Sequence, residues 1–226
     1  MIADLSLAYK LIPGALLETC YMVIASTFFS GLLGLPLGLL LFQTAKKKTA
    51  KSFLLYKTLS FLVNAGRSIP FAILMIALIP LTKWLVGTSL GTTAAIIPLS
   101  LAAAPFFARL VENNLQEIDP ALEEATLLMG GSSMQILIKV LIPESLPAQI
   151  KALTLTAVNL IGYSAMAGLI GGGGLGQIAL QYGYQRFNTF LLSISVIFLF
   201  LLVELTQKIS NQVVKTILKN RGQKNA

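Results

Sequence analysis

Five stretches of this chain stay apolar for about eighteen residues or longer, at roughly residues 16–42, 57–81, 93–110, 152–170 and 189–207. A helix of that length crosses the roughly 30 Å hydrocarbon layer of a bilayer. Inside that layer the backbone N–H and C=O groups have no water to bond to, so each run has to pair them along its own helix. The predicted fold is therefore all-α, a polytopic membrane protein with five transmembrane helices. Charged residues make up 12% of the 226-residue chain, about half of the roughly 25% usual for a soluble domain. The whole chain, residues 1–226, reads as one multi-pass domain.

Charge then sets the orientation. Lys46, Lys47, Lys48 and Lys51 follow the first run directly, and short Lys/Arg-rich loops stay in the cytoplasm. That places the N-terminus outside and, by alternation over five crossings, the C-terminus inside. Thirteen of the seventeen Lys and Arg then fall on the cytoplasmic side, Lys224 among them; Lys10, Lys83 and Arg186 fall outside and Arg67 lies within a run. The net charge of +8 is thus accounted for by topology. The basic residues form no face interleaved with aromatics, so nucleic acid is not an expected partner. Histidine is absent and Cys20 is the one cysteine, which excludes histidine acid-base chemistry, the usual zinc sites and an intrachain disulfide. Asp4 and a single Lys10 before the first run do not make the basic leader of a cleaved signal peptide, so that run is expected to be retained.

Six of the nine acidic residues, Glu112, Glu117, Asp119, Glu123, Glu124 and Glu144, crowd into the segment between the third and fourth runs, about residues 112–148. Burying Asp119, Glu123, Glu124 and Lys139 in the bilayer would cost about 3 kcal/mol each, against about 0.5 returned per Leu or Ile, so this segment is not a sixth crossing. Its pattern is helix, glycine, helix. Asp119 suits an N-cap and Pro120 the first helical position; Gly130 and Gly131 can take the left-handed closing conformation; Ser132 and Gln135 fit a capping box. Two short helices are predicted, one with an apolar stripe of Ala121, Leu122, Ala125, Leu128 and Met129, the other with Met134, Leu137, Ile138 and Leu141 ending before Pro143. An acidic amphipathic hairpin is poorly placed on an anionic leaflet and better matched to a protein partner.

The same segment resembles the EAA loop of the permease subunits of bacterial ATP-binding-cassette importers. That pattern runs E-A-A, three residues, G, nine residues, I-x-L-P, and here Glu124, Ala125, Thr126, Gly130, Val140, Ile142 and Pro143 stand at the matching places. Thr126, Val140 and Ile142 are modest departures. The resemblance implies a type I importer permease fold in which the first hairpin helix is a coupling helix seated on a cytoplasmic ATPase, with Glu123, Glu124, Ala125, Thr126, Gly130, Gly131 and Pro143 as its coupling residues. The chain has no G-x-x-x-x-G-K-[ST] phosphate loop, so no cofactor is expected in it and ATP with Mg would be bound by the partner. It would be a non-catalytic subunit of the inner membrane.

Three further segments, NAGRSIPFAIL at residues 64–74, PLSLAAAPFFARLVEN at 98–113 and GYSAMAGLIGGGGLGQIALQYGYQRF at 162–187, resemble the permeases of methionine importers. This implies a homodimer with two ATPases and an extracytoplasmic methionine-binding protein or lipoprotein, importing L-methionine and possible D-methionine by alternating access. A permease for another amino acid, a quaternary amine or a phosphonate is the competing reading; an intramembrane enzyme or a non-transport assembly protein is a more distant one.

Gly171, Gly173 and Gly176 satisfy G-x-G-x-x-G, yet no strand precedes them and no acid follows at the required distance, so a dinucleotide site is rejected. The glycine run is read instead as a tight turn near the outer mouth. In the fourth run Gly162, Ser164, Ala165, Ala167 and Gly168 offer small faces for helix packing. Met166 stands among them either as a core filler or as a pathway residue facing a thioether cargo. Arg67 either faces a wet cavity, next to a carbonyl freed by Pro70, or snorkels to the cytoplasmic side. Ser164, Asn64, Ser68, Asn159 and Tyr163 are candidates for pathway polarity. Glu18 and Glu204 are expected at span ends.

Overall fold

The computed structural model describes residues 2–47 and 49–221; Lys48 and Lys224 lie outside the described residues. Apolar runs become helices as expected, but they are longer than the runs that signal them. The first helix, α1, covers Ile2–Lys46, so the apolar stretch from residue 16 is only its later part. Pro13 and Pro36 lie inside it, tolerated where packing neighbours hold the backbone. The third run becomes α5, Thr92–Gln116, and the fifth becomes α10, Thr189–Asn220.

The second run is not one straight span. It forms α2, Ala50–Ser68, then bends by 103° into α3, Phe71–Ala77, and continues as α4, Ile79–Val86. The cause is Pro70: it has no N–H to donate and it forces Ile69 into an extended conformation, φ −77° and ψ 124°. Among the described residues four helices are long and apolar enough to cross a membrane, or five if the bent pair counts as one.

The bundle is held by the close approach of α1 to α5. A Cβ on Gly34 would lie 2.7 Å from the Ala104 carbonyl oxygen, and one on Gly38 only 2.5 Å from that of Ala108. Glycines four apart on one helix against alanines four apart on the other let the backbones touch, so packing replaces the hydrophobic drive that lipid cannot supply. A central core of Met22, Phe71, Leu99 and Leu160 fills the middle of the bundle. Separate cores close its two ends, Phe42, Val111, Leu115, Ile136 and Leu141 at one and Ile12, Leu175 and Leu191 at the other.

Candidate coupling site and translocation face

Between α5 and the fourth run the chain leaves the bundle as a hairpin. Helix α6, Pro120–Leu128, is capped by Asp119, whose carboxylate accepts from the Ala121 N–H at 2.9 Å. It closes on Gly130 at φ +83°, with the Gly130 N–H bonded to the Leu127 carbonyl at 2.9 Å and that of Gly131 to Thr126 at 3.0 Å, a Schellman ending. Only the first of the two glycines takes the left-handed conformation. Gly131 is needed for space: a Cβ there would sit 2.8 Å from the Thr126 Cγ2. Ser132 and Gln135 form the expected capping box at the start of α7, Ser133–Ile136.

The second hairpin helix does not stop before Pro143. α7 passes through a wide π-turn, Leu137–Leu141, straight into α8, Ile142–Leu169, giving one 37-residue helix from Ser133 to Leu169. In a regular α-helix the Pro143 ring would press on the carbonyl four residues back. The widened turn, with the Ile142 N–H reaching the Leu137 carbonyl, relieves that clash. Pro147 in turn cannot donate to the Pro143 carbonyl, and the Arg221 guanidinium at the end of α10 supplies the missing bond while lying 3.6 Å from the Glu144 carboxylate. The hairpin is thus rooted directly in a helix long and apolar enough to cross a membrane.

Its two sides have different environments. Ile136, Leu137 and Leu141 are buried against Phe42, Val111 and Leu115, fixing the second arm to the bundle. The Glu123 carboxylate pairs with Lys46, whose ammonium also stands 4.5 Å over the Phe42 ring, so α6 is tied to the end of α1. Most of the rest of α6 is uncovered among the described residues. Ala121, Leu122, Glu124, Ala125 and Leu127 are exposed, Leu128 by 90% and Met129 by 80%. An apolar tip this bare on a capped, anchored helix is the form of a docking surface.

Glu112 does not belong to this exposed island. It lies within α5, 1% exposed, and its Oε2 accepts from Arg109 at 2.6 Å. The other end of the guanidinium donates to Ser60 at 2.7 Å and to the Asn64 side chain at 3.0 Å, joining α2 to α5. This network was not anticipated. The i, i+3 spacing of Arg109 and Glu112 at the end of an apolar run was its available signal.

At the far end of α8 the glycine run turns the chain back into the bundle as α9, Gly174–Ile178, followed by a π-turn at Ala179–Tyr184. Gly171, Gly173 and Gly174 have φ of +86°, +85° and +76°. Gly168 and Gly176 meet with no room for a side chain, a Cβ on Gly176 falling 2.2 Å from the Ala165 carbonyl oxygen. Glu18 accepts from the Gly174 N–H at 2.7 Å and Thr19 from that of Leu175 at 2.9 Å, so α1 caps the returning helix from 156 residues away. Beside it opens a cleft of about 540 Å³ reached by Lys10, Glu18, Gln177 and Gln181.

The pathway candidates divide. Arg67 and Tyr163 come together at a notch of about 150 Å³ with Gly66, Phe71, Ala102 and Phe106. There Tyr163 stacks on Phe71 at 4.7 Å and Arg67 lies over the Phe106 ring at 5.8 Å. Asn64 and Ser68 are on exposed turns of α2, Asn64 already engaged by Arg109. Met166 is 46% exposed and shares one α8 stripe with Leu155, Asn159, Gly162 and Leu169. Ser164 is turned inward and buried, its hydroxyl donating to the Ile161 carbonyl at 2.7 Å.

The fold is an apolar helical bundle with a rooted, exposed hairpin, and residues 34–216 match the binding-protein-dependent transport system inner membrane components. The chain belongs to that family and is a multi-pass inner-membrane protein, a transport component rather than an enzyme. It is 47% identical over 205 residues to a probable D-methionine transport system permease protein MetI of Pasteurella multocida, covering 91% of this chain and 94% of the relative. To the D-methionine transport system permease protein MetI of Escherichia coli K12 it is 50% identical over 151 residues, 67% of this chain and 70% of that one. A chain of the MetNI methionine ABC transporter in an inward-facing conformation superposes with a TM-score of 0.89 at 45% identity, covering 92% of this chain and 97% of that one.

Proposed function

We propose that this chain is the membrane subunit of an ATP-driven methionine importer, working as a homodimer with two ATPase subunits and an extracytoplasmic binding protein. The observation that carries the reading is the pairing of its likeness to methionine permeases over nine-tenths of its length with a hairpin whose apolar tip is bare. Seated in an ATPase cleft, α6 would convert the approach of two ATPases into a rigid-body shift of α8, because the second arm of the hairpin and α8 are one continuous helix, Ser133–Leu169. Glu124, Ala125, Thr126, Leu128 and Met129 are the contact residues in this scheme; Gly130, Gly131 and Pro143 shape the hairpin, and Glu123 holds it to α1. The α8 stripe of Leu155, Asn159, Gly162, Met166 and Leu169 faces the second copy across the pathway. The orientation is N-terminus outside and C-terminus inside, with the hairpin in the cytoplasm.

ATP binding draws the ATPases together and turns the pathway outward to receive methionine; hydrolysis returns it inward. The deciding experiment is uptake of labelled L- and D-methionine into vesicles holding this chain, its ATPase and its binding protein. ATP-dependent accumulation of methionine is expected. Accumulation of another amino acid, a quaternary amine or a phosphonate in its place would overturn the cargo, and a complex that lacks any ATPase would overturn the transport reading.

A further inference from the structure

Two arginines occupy neighbouring turns of the α2–α5 interface and differ sharply in how they are satisfied. Arg109 is matched by Glu112, Ser60 and Asn64. Arg67 rests on the Phe106 ring, and no oxygen among the described residues accepts a hydrogen bond from it. Its depth makes this unusual. Ten residues of α2 separate it from Lys57, about 15 Å of rise, or half of the roughly 30 Å apolar layer. Ala102, which lines the same notch, lies ten residues into α5 from the opposite end, so a membrane bounded near Lys57 and Thr92 would hold the notch near its middle. A guanidinium at that depth has to face a wet cavity or an anion rather than lipid tails.

The notch contains three kinds of chemistry. Arg67 supplies a two-pronged cation suited to a carboxylate. At the broken helix end, Pro70 has no N–H to give the Gly66 carbonyl one turn back, leaving the negative end of α2 open at the same place. The Phe106 and Tyr163 rings supply flat apolar faces of the kind that a thioether or aliphatic chain packs against. Irregular backbone at membrane depth is tolerated where it lines a cavity, and broken helices of this sort are where small solutes are held in transporters.

We propose that this notch is a waypoint for a zwitterionic amino acid during passage. The Arg67 guanidinium takes the carboxylate, the carbonyl end of α2 takes the ammonium, and the Phe106 and Tyr163 rings flank the side chain. The inference rests on the amino-acid importer reading above. One cation with no hydrogen-bonded oxygen among the described residues, in a notch of about 150 Å³, makes a weak site, which is what passage requires: attractive enough to enter, loose enough to leave.

The test uses the complete transporter in proteoliposomes with its binding protein. Arg67→Met should lower labelled methionine uptake per ATP by about tenfold or more, the usual worth of a charged hydrogen bond, while binding-protein-stimulated hydrolysis stays within about twofold. Uptake per ATP equal to the parent's overturns the proposal. Should that variant not assemble, the unaltered complex is labelled with phenylglyoxal and the adduct at Arg67 is followed by mass spectrometry. L-Methionine should slow labelling about threefold when present at twice its dissociation constant, and L-methioninol, which lacks the carboxylate, should not. Equal labelling with both overturns the proposal. If the parent carries a different amino acid, the methionine reading fails while the same two readouts, taken with that amino acid, still decide the role of Arg67. A parent that carries only solutes without a carboxylate overturns both.

Discussion

Replacing Glu112 by Ala isolates the most deeply held charge in the bundle. Glu112 is 1% exposed, with one carboxylate oxygen 2.6 Å from Arg109 and the other accepting from Gln116 at 3.3 Å. The substitution leaves the Arg109 guanidinium in place with only the neutral acceptors Ser60 and Asn64. Removing one member of a buried pair costs about 3–5 kcal/mol, chiefly through the uncompensated charge that remains. The Arg109 side chain keeps 15% of its exposure and can recover some hydration, which places the expected loss near the bottom of that range, about 3 kcal/mol. For a chain of this size that corresponds to a fall of about 6–12 °C in the melting temperature of the detergent-solubilised complex. The double change Glu112→Leu with Arg109→Met removes both charges and should recover most of the loss, because an apolar pair of similar volume is commonly as stable as the ion pair it replaces. A single variant melting within about 2 °C of the parent, or a double variant as unstable as the single one, would refute this account of the α2–α5 contact.

Other substitutions probe other joints. Gly38→Leu places a side chain where a Cβ already lies 2.5 Å from the Ala108 carbonyl oxygen and 2.6 Å from Val111, so α1 must part from α5; a loss of at least about 3 kcal/mol is expected, read as reduced melting temperature or failed assembly. Leu128→Asp and Glu124→Lys alter only the bare tip of the hairpin, so the membrane subunit should keep its own melting temperature while ATPase co-purification and ATP-driven uptake are lost; retained co-purification in both would remove the docking role. Gly130→Ala forces a Cβ into φ +83° and should weaken the end of α6 by about 1–2 kcal/mol, seen as poorer coupling of hydrolysis to uptake rather than loss of the bundle. Met166→Ala should reduce uptake without changing ATPase binding, and unaltered uptake would return Met166 to the status of a packing residue.

How far the sequence could be read depended on the range of the interaction. Asp119, Gly130, Ser132 and Gln135 act within a few residues of themselves, and their caps formed where local chemistry placed them. Hydropathy located the long apolar helices because lipid acts on every residue of a run alike. It could not distinguish a straight span from one bent by 103° at Pro70, since a bend leaves apolar composition unchanged. Pro143 misled for a related reason: as a helix breaker it marks an end, yet a π-turn just before it absorbs the clash and Arg221, 78 residues further on, serves the carbonyl that Pro147 leaves open. The Glu18 cap on Gly174 and the reach of Arg109 to Ser60 cross 156 and 49 residues, and no local window contains both partners. These distant polar contacts have a common placement. They join α1 to the returning helix, α2 to α5, and α10 to the root of the hairpin, and others add to them: Thr154 of α8 donates to Ser210 of α10 at 2.5 Å, and Gln149 of α8 donates to the Val111 carbonyl of α5 at 3.4 Å. In a bundle that has to shift as rigid pieces, directional contacts of this kind decide which helices move together. On that basis α2, with Arg67 at its broken end, should travel with α5, and the hairpin with α8 and α10, the two groups meeting at Gln149 of α8 where it reaches Val111 and Asn114 of α5.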